Sequence, residues 1–389
     1  MPSAQNTVSR ALTELHKLGG RASRNELTER LGCGRSVTGY ALGELVERGL
    51  VEIDRSVSLA PGRQGGRPSH GVVIGEDAPV AIAVQLNADT IAVATVALGG
   101  RILARDEQPI GPLDPEAVAD TLSEIVSTHA STGRRLLGVG VSVPSPVRAA
   151  DGFVLAALHL GWPPVPFGEL LAARLGNLSL MLDNDAHLAA LAEHRHGAGR
   201  EATQMLYLTT GRSGLGGALI SAGRLFTGAS GYAMELGHIA VNPGGTPCRC
   251  GSAGCLDVEA DNRALLRAAG QVEVESDAVP RRANELLNAA AARDPRALAA
   301  ADKVRHVLGD GLVSLVNLTD PDRIVLGASL GRLHDLAPES IPTQLLEQSL
   351  LERGGTIPVR SGTLTDPFLL GAAEMVLQPL LDDPRSAPA

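Results

Sequence analysis

The chain has 389 residues, 44% of them hydrophobic, with 34 basic and 43 acidic side chains and a formal net charge of −9. This length and apolar content exclude a disordered or fibrous chain and lead us to expect two or more soluble domains, with no apolar run long enough to cross a bilayer. The 4 cysteines, and an opening stretch with amphipathic helical spacing in place of a secretory signal, lead us to expect a reducing, cytoplasmic setting with no membrane partner.

Charge is uneven. Residues 1–70 carry 10 Arg/Lys and 7 Asp/Glu, a net +3, so the remainder holds −12 of the total −9. That asymmetry puts a nucleic-acid partner at the N-terminal segment. The elements there spell a winged helix-turn-helix. Val8, Leu12 and Leu15 share one face of a first helix over about Thr7 to Leu18. Ser23 followed by Glu26 offers a capping box for a second helix ending at Leu31. After Gly32-Cys33-Gly34, a third helix from about Ser36 to Arg48 buries Ala41, Leu42 and Leu45, and GLVEI begins a wing. Such a pair of helices sets the second into the major groove of double-stranded DNA. Its candidate contacts are Arg35, Ser36, Thr38 and Tyr40, which reach base edges or phosphates. The competing reading is an exposed face that only meets water, and Gly39 and Gly43 each weaken the helix by about 1 kcal/mol. Cys33 reads as a core thiol.

Ala60 to Gly71, APGRQGGRPSHG, is dense in Gly and Pro and marks a boundary between a DNA-binding segment, 1–70, and a body, 71–389. Arg63 and Arg67 are long enough to enter a narrow minor groove; a solvated linker is the alternative. In the body, VAIAVQL, LLGVGVSV, LSLMLDN, MLYLTT and RIVLGAS have the length of buried strands, and longer segments with helical spacing lie between some of them. The class is therefore α/β.

Glu235 to Cys255 gathers three of the four cysteines and a histidine, spaced H-x9-C-x-C-x4-C. His238, Cys248, Cys250 and Cys255 are the candidate ligands of a zinc ion, in a loop spanning 238–255. Gly244, Gly245, Gly251 and Gly254 supply its turns. Four protein ligands leave no open position, so such an ion would shape the loop rather than do chemistry. Against this stands a loop with three ordinary thiols.

The glycine-patterned run from Leu206 to His238, then ELGH, then CRCGSAGC, in that order, resemble the ROK family, which unites sugar-responsive repressors with sugar kinases. SVPSPV at Ser142 to Val147, HLGW at His159 to Trp162, DNDA at Asp183 to Ala186 and DPDRIVLGAS at Asp320 to Ser329 extend the resemblance from about Val80 to the C-terminus. It implies an actin-like, two-lobed α/β body of the ribonuclease H-like, sugar kinase type, with a sugar pocket between the lobes. A helix-turn-helix and a linker ahead of that body match the repressor arrangement, in which a segment like Gly66-Arg67-Pro68 lies beside the minor groove.

By the same resemblance, Asp185 matches the kinases' catalytic base, Asn184 and Glu235 match sugar contacts, and His238 serves both metal and sugar. Asn184 or Asp185 could instead be only a helix N-cap. Three departures from the family pattern alter hydrogen-bond reach: His159 for Asn, His187 for Asn after NDA, and Asp257 for Glu. The effector site is then His159, Asn184, Asp185, Glu235, His238 and Asp257, and its ligand an amino sugar, an oligosaccharide or another relative of a hexose. Where ROK kinases have a D-x-G-G-T-like phosphate turn, this chain has Gln85-Leu86-Asn87-Ala88-Asp89, and Gly327-Ala328 stands for paired glycines. ATP should bind poorly or not at all. The expectation is a non-enzymatic repressor, a homodimer or homotetramer on a pseudo-palindromic operator, tuned by a sugar-like effector. A ROK-type sugar kinase and a ligand-independent DNA binder are the alternatives.

Overall fold

The structure, a computed structural model, describes residues 4–58, 70–111, 114–131, 133–155, 157, 160–211, 214–351 and 357–386. Its N-terminal head consists of α1 (Ala4–Lys17), β1 (Arg21–Ser23), α2 (Arg24–Leu31), α3 (Arg35–Glu47), β2 (Val51–Ser58) and β3 (His70–Ile74), with sheet order β1-β3-β2. Ser23 caps α2, its hydroxyl accepting the Glu26 N–H at 3.1 Å. Gly32 ends that helix at φ 61, a left-handed conformation that glycine adopts without strain. Leu12, Leu15, Leu27 and Leu45 are fully buried, as their helical spacing requires.

Two expectations change here. β3 pairs with β1 as far as Val73 and with β2 as far as Ile74, so the head runs past residue 70. In the chain, the Gly/Pro segment that begins at Ala60 falls between β2 and β3, and residues 59–69 lie outside the described residues. Composition does not separate a hairpin connection from a linker, because both need Gly and Pro. The connector proper is 75–79. Arg63 and Arg67 fall outside the described residues.

The first lobe contains β4 (Val80–Leu86), β5 (Thr90–Ala97), β6 (Arg101–Pro109), α4 (Pro115–Ala130), β7 (Leu136–Val143), the small hairpin of β8 (Val147–Arg148) and β9 (Phe153–Val154), α5 (Phe167–Leu175), β10 (Leu180–Asn184) and α6 (Asp185–His196). Its sheet has the order β10-β7-β4-β5-β6. β4 is buried along almost its whole length, which is why it reads as a continuous apolar run. Trp162 is buried against Phe167 with ring centroids 4.9 Å apart.

The second lobe contains β11 (Gln204–Gly211), β12 (Gly214–Ser221), β13 (Arg224–Leu225), a 3-10 turn at Leu236–His238, α7 (Leu256–Ala260), α8 (Asn262–Ala268), α9 (Val279–Ala291), α10 (Pro295–Thr319), β14 (Arg323–Leu326), α11 (Ala328–Asp335), α12 (Ser340–Gln348) and β15 (Val359–Ser361). Its sheet order, β13-β12-β11-β14-β15, repeats the first: antiparallel strands on one side, parallel additions on the other. Asp294 caps α10 ahead of Pro295, and Ala297, Ala301, Val304, Leu308, Leu312 and Leu315 form its buried stripe.

α13 (Pro367–Asp382) then returns to the first lobe and lies against α6, β4 and β7, followed by a 3-10 turn at Pro384–Ser386. The head does not stand apart. Leu12, Leu15 and Leu45 belong to one continuous apolar core with Leu98, Leu369, Leu377 and Leu381. Among the described residues no helix is long and apolar enough to cross a membrane.

Candidate functional site

On the head, Arg35, Ser36 and Tyr40 are exposed along α3, with Tyr40 58% accessible. Thr38 does not belong with them. It is fully buried, its Oγ1 turned inward 3.4 Å from Cys33 Sγ, because it sits on the same helical face as Ala41, Leu42 and Leu45. Val37, which sequence reasoning passed over as apolar, takes its place on the outer face.

Between the lobes lies a cavity of about 170 Å³. The first lobe supplies Ser145, Asn184 and Asp185, and the second supplies Glu235, His238 and Asp257. Five of the six expected effector residues are thus brought together, and His159 lies outside the described residues. β10 ends at the cavity and α6 begins there, so the strand-to-helix corner presents both Asn184 and Asp185. Asn184 is also the helix cap: its Oδ1 accepts N–H groups from Ala186 at 2.9 Å and His187 at 3.2 Å, while its Nδ2 donates to Ser145 O. Asn184 thus caps α6 and lines the cavity at the same time.

Asp185 is the group with chemical potential. It keeps a strip of surface on the cavity while protein surrounds it on every other side, so it is half-buried by area yet deeply enclosed. That enclosure, reinforced by the nearby Glu235 carboxylate, pushes its carboxyl up to about 7. Asp257 is more committed, since its Oδ1 accepts the Leu215 N–H at 2.6 Å and ties α7 to the start of β12. Ser145 Oγ is buried on the cavity wall with no hydrogen-bond partner among the described residues, an arrangement a polyhydroxy ligand would satisfy. Arg249 and Phe368 also line the cavity and were missed. Arg249 stands between Cys248 and Cys250, two of the candidate metal ligands, which was the available signal; nothing local marks Phe368. Met234, beside Glu235, has φ 68, a left-handed conformation that a non-glycine residue holds only at a cost of about 1–3 kcal/mol.

Asp185, Gly211 and Phe368 also border a second cavity of about 410 Å³, lined by Gln85, Asn87, Arg105 and Ser329. Here the kinase-type turn is closed by amides: Gln85 Nε2 donates to Asn87 Oδ1 at 3.2 Å, and Asn87 Nδ2 to Thr90 Oγ1 at 3.0 Å. Ala328 has φ 49, so the backbone keeps a conformation natural to glycine while the side chain is not glycine's.

His238, Cys248, Cys250 and Cys255 converge with their ligand atoms within 4.8 Å of one another. In a zinc tetrahedron, bonds of about 2.3 Å to sulfur and about 2.0–2.1 Å to nitrogen hold two sulfurs about 3.8 Å apart and a sulfur and a nitrogen about 3.6 Å apart. Cys250 Sγ and Cys255 Sγ are 3.7 Å apart, and Cys248 Sγ and His238 Nδ1 are 3.6 Å apart. The residues fit the ion. The turn is built for the convergence: Gly254, at φ 70, lies so close to Asn242 O that no Cβ could be added. Glu259 Oε1 accepts from Thr246 N at 2.7 Å and braces the loop from α7. The same His238 borders the cavity between the lobes, so loop and cavity share a wall.

The ROK family model matches residues 81–378. The chain is 31% identical over 314 residues to a glucokinase of Halalkalibacterium halodurans, an alignment covering 76% of this chain and 94% of that protein. It is 26% identical over 384 residues to a xylose repressor of Caldicellulosiruptor bescii, covering 94% of each. A solved ROK family transcriptional regulator, described as a homolog of the Escherichia coli MLC protein, superposes with a TM-score of 0.75 over 97% of both chains at 23% identity.

Proposed function

The chain belongs to the ROK family, and we propose that within it this protein is a DNA-binding transcriptional regulator whose operator affinity is set by a sugar-like ligand in the cleft. The observation that carries this reading is the head. A helix-turn-helix with an exposed α3 precedes the body, and alignment to a xylose repressor runs along 94% of both chains, whereas alignment to a glucokinase takes in 76% of this one. The partners are a pseudo-palindromic duplex and a second copy of the chain, since twofold operators mirror twofold proteins. A zinc ion on His238, Cys248, Cys250 and Cys255 holds the loop that walls the pocket. It has no open position and takes no part in chemistry.

In this reading Asp185 hydrogen-bonds a ligand hydroxyl, Glu235 and His238 bracket it from the other lobe, and closure of the lobes on the ligand favours one orientation of the head. Such a switch requires different ligand affinity in the two states. One observation favours a kinase instead: Asp185 borders both cavities with a carboxyl near 7, suited to a general base. The amide-closed turn at Gln85 and Asn87 weighs against phosphate binding there. The test is an operator titration at fixed salt, with and without glucose or xylose, for wild type and Asp185→Ala. Sugar should weaken operator binding by wild type. Asp185→Ala should still bind the operator, with whatever shift the lost carboxylate imposes on the head, and should respond only to about tenfold to hundredfold more sugar, the loss of a charged hydrogen bond. An equal response in both proteins would move the ligand elsewhere, and sugar-dependent ATP consumption would favour the kinase.

A further inference from the structure

At the seam between head and body, a buried carboxylate on one helix collects partners from two others. Glu374, on α13, is fully buried. It accepts from His16 Nε2 of α1 at 2.9 Å, from His196 Nε2 of α6 at 2.8 Å and from Arg195 of α6 at 2.7 Å. Two imidazoles and a carboxylate suggest a metal site, but the proton positions argue against one. The Gly99 N–H donates to His16 Nδ1 at 2.8 Å, so a neutral His16 carries its proton on Nε2, where a metal would need a lone pair. The Arg195 guanidinium adds a like charge beside any cation. Burial alone would raise the Glu374 carboxyl, yet His16, His196 and Arg195 hold it well below the usual carboxylate range. The cluster is a charge-assisted hydrogen-bonded joint.

Its position gives it meaning. α6 begins at the cleft with Asp185 and ends at the seam with Arg195 and His196. α13 begins beside the cleft with Phe368 and reaches the same seam at Glu374. The two helices are bound into one piece. Gly371 lies against the Leu188 backbone too closely for any Cβ. Glu193 of α6 accepts N–H groups from Thr363 at 2.9 Å and Leu364 at 3.0 Å, in the segment that leads into α13.

Resting on the reading of a ligand-controlled DNA binder, we propose that α6 and α13 act as a single strut from cleft to head, and that Glu374 is the joint at which the strut grips His16 of α1. Displacement of Asp185 by a ligand then reaches the head through this joint, with no contact between ligand and head. Glu374 and His16 are positioning residues for the DNA-binding helices.

The test is amide hydrogen exchange on the full-length chain, using Asp185→Asn as the perturbation at the cleft. It needs neither the natural ligand nor the operator. In the wild-type background Asp185→Asn should change exchange in α1 at least threefold. Combined with Glu374→Gln the change in α1 should vanish. His16→Leu, which leaves Glu374 its bonds to α6, repeats the test should Glu374→Gln fail to fold. Arg385→Gln is the control, because it breaks the separate contact of Arg385 with Glu44 of the head and should leave the response intact. Unchanged α1 exchange in Asp185→Asn overturns the proposal, as does a response that survives in His16→Leu. Binding of wild type to duplexes selected from a random pool, measured separately, reports on the regulator reading. Its failure would leave the exchange result standing as a statement about the seam.

Discussion

His187 Nδ1 lies 3.0 Å from Asp183 Oδ1, and the pair fixes the corner from which Asp185 projects. The other ring nitrogen, Nε2, lies 3.2 Å from Ala233 O in the segment that leads to Glu235. Both partners are acceptors, so both nitrogens must donate and the imidazolium is the favoured form. Burial opposes that charge, but Asp183 outweighs it and the His187 pKa is raised. The ring thereby clamps the two walls of the cleft.

His187→Asn, which restores the residue usual in the family, should remove the link to Ala233 and lower stability by about 1–3 kcal/mol in urea unfolding. A histidine whose folded pKa is raised contributes fully below its unfolded value of 6.5, and the contribution fades as pH rises through the folded value. The difference between wild type and variant should therefore shrink from pH 6 towards alkaline pH. A constant difference would mean that the ring acts by packing alone.

Asp185→Asn should stabilise the protein at pH 8. The folded carboxyl is held near 7 against an ordinary 3.8, so the folded state keeps a proton that the unfolded chain has released. Between those values stability falls as pH rises, and the penalty is full above about 7. The interval is worth about 2–4 kcal/mol, the lower figure allowing for solvent at the cavity mouth. Thermal unfolding of both proteins at pH 8 and pH 4 checks this. Equal midpoints at pH 8 would show that the carboxylate is well solvated.

Metal analysis should find about one zinc per chain, and Cys248→Ala should retain less than about a tenth of it. The readout is the metal content of protein purified without added metal. A metal-free wild type that keeps a folded 238–255 loop would remove the ion from this account.

Arg35→Ala should weaken binding to a selected duplex at least about tenfold, the scale of a lost base or phosphate contact of about 1–3 kcal/mol. Thr38→Val should stay within about twofold, because the buried hydroxyl never faces DNA. Binding should also fall steeply with salt. The opposite ranking in a fluorescence titration would mean that α3 docks by another face.

ATP should transfer no phosphate to glucose or xylose above a protein-free blank. The Gln85 and Asn87 side chains are closed on each other where the backbone would have to approach a phosphate. Coupled detection of ADP release decides the matter.

Much of this protein was legible from its sequence, and for a physical reason: local constraints leave local signatures. Ser23 caps α2 because a hydroxyl three residues before an unsatisfied N–H is sufficient. The glycines and sulfurs of 238–255 sit close along the chain, so their convergence could be read from spacing. Long-range relationships were not legible. Thr38 looked outward until the rotation of α3 buried it, with its Oγ1 3.4 Å from Cys33 Sγ. The segment from Ala60 looked like a linker until β3 was found paired with β1. Phe368 reached the cleft, and Glu374 met His16 across 358 positions, only because α13 folds back onto the first lobe. Spacing encodes caps, turns and ligand loops, whereas the partners of a buried charge and the register of a distant strand are chosen by the competition among all possible packings, which only the assembled core resolves.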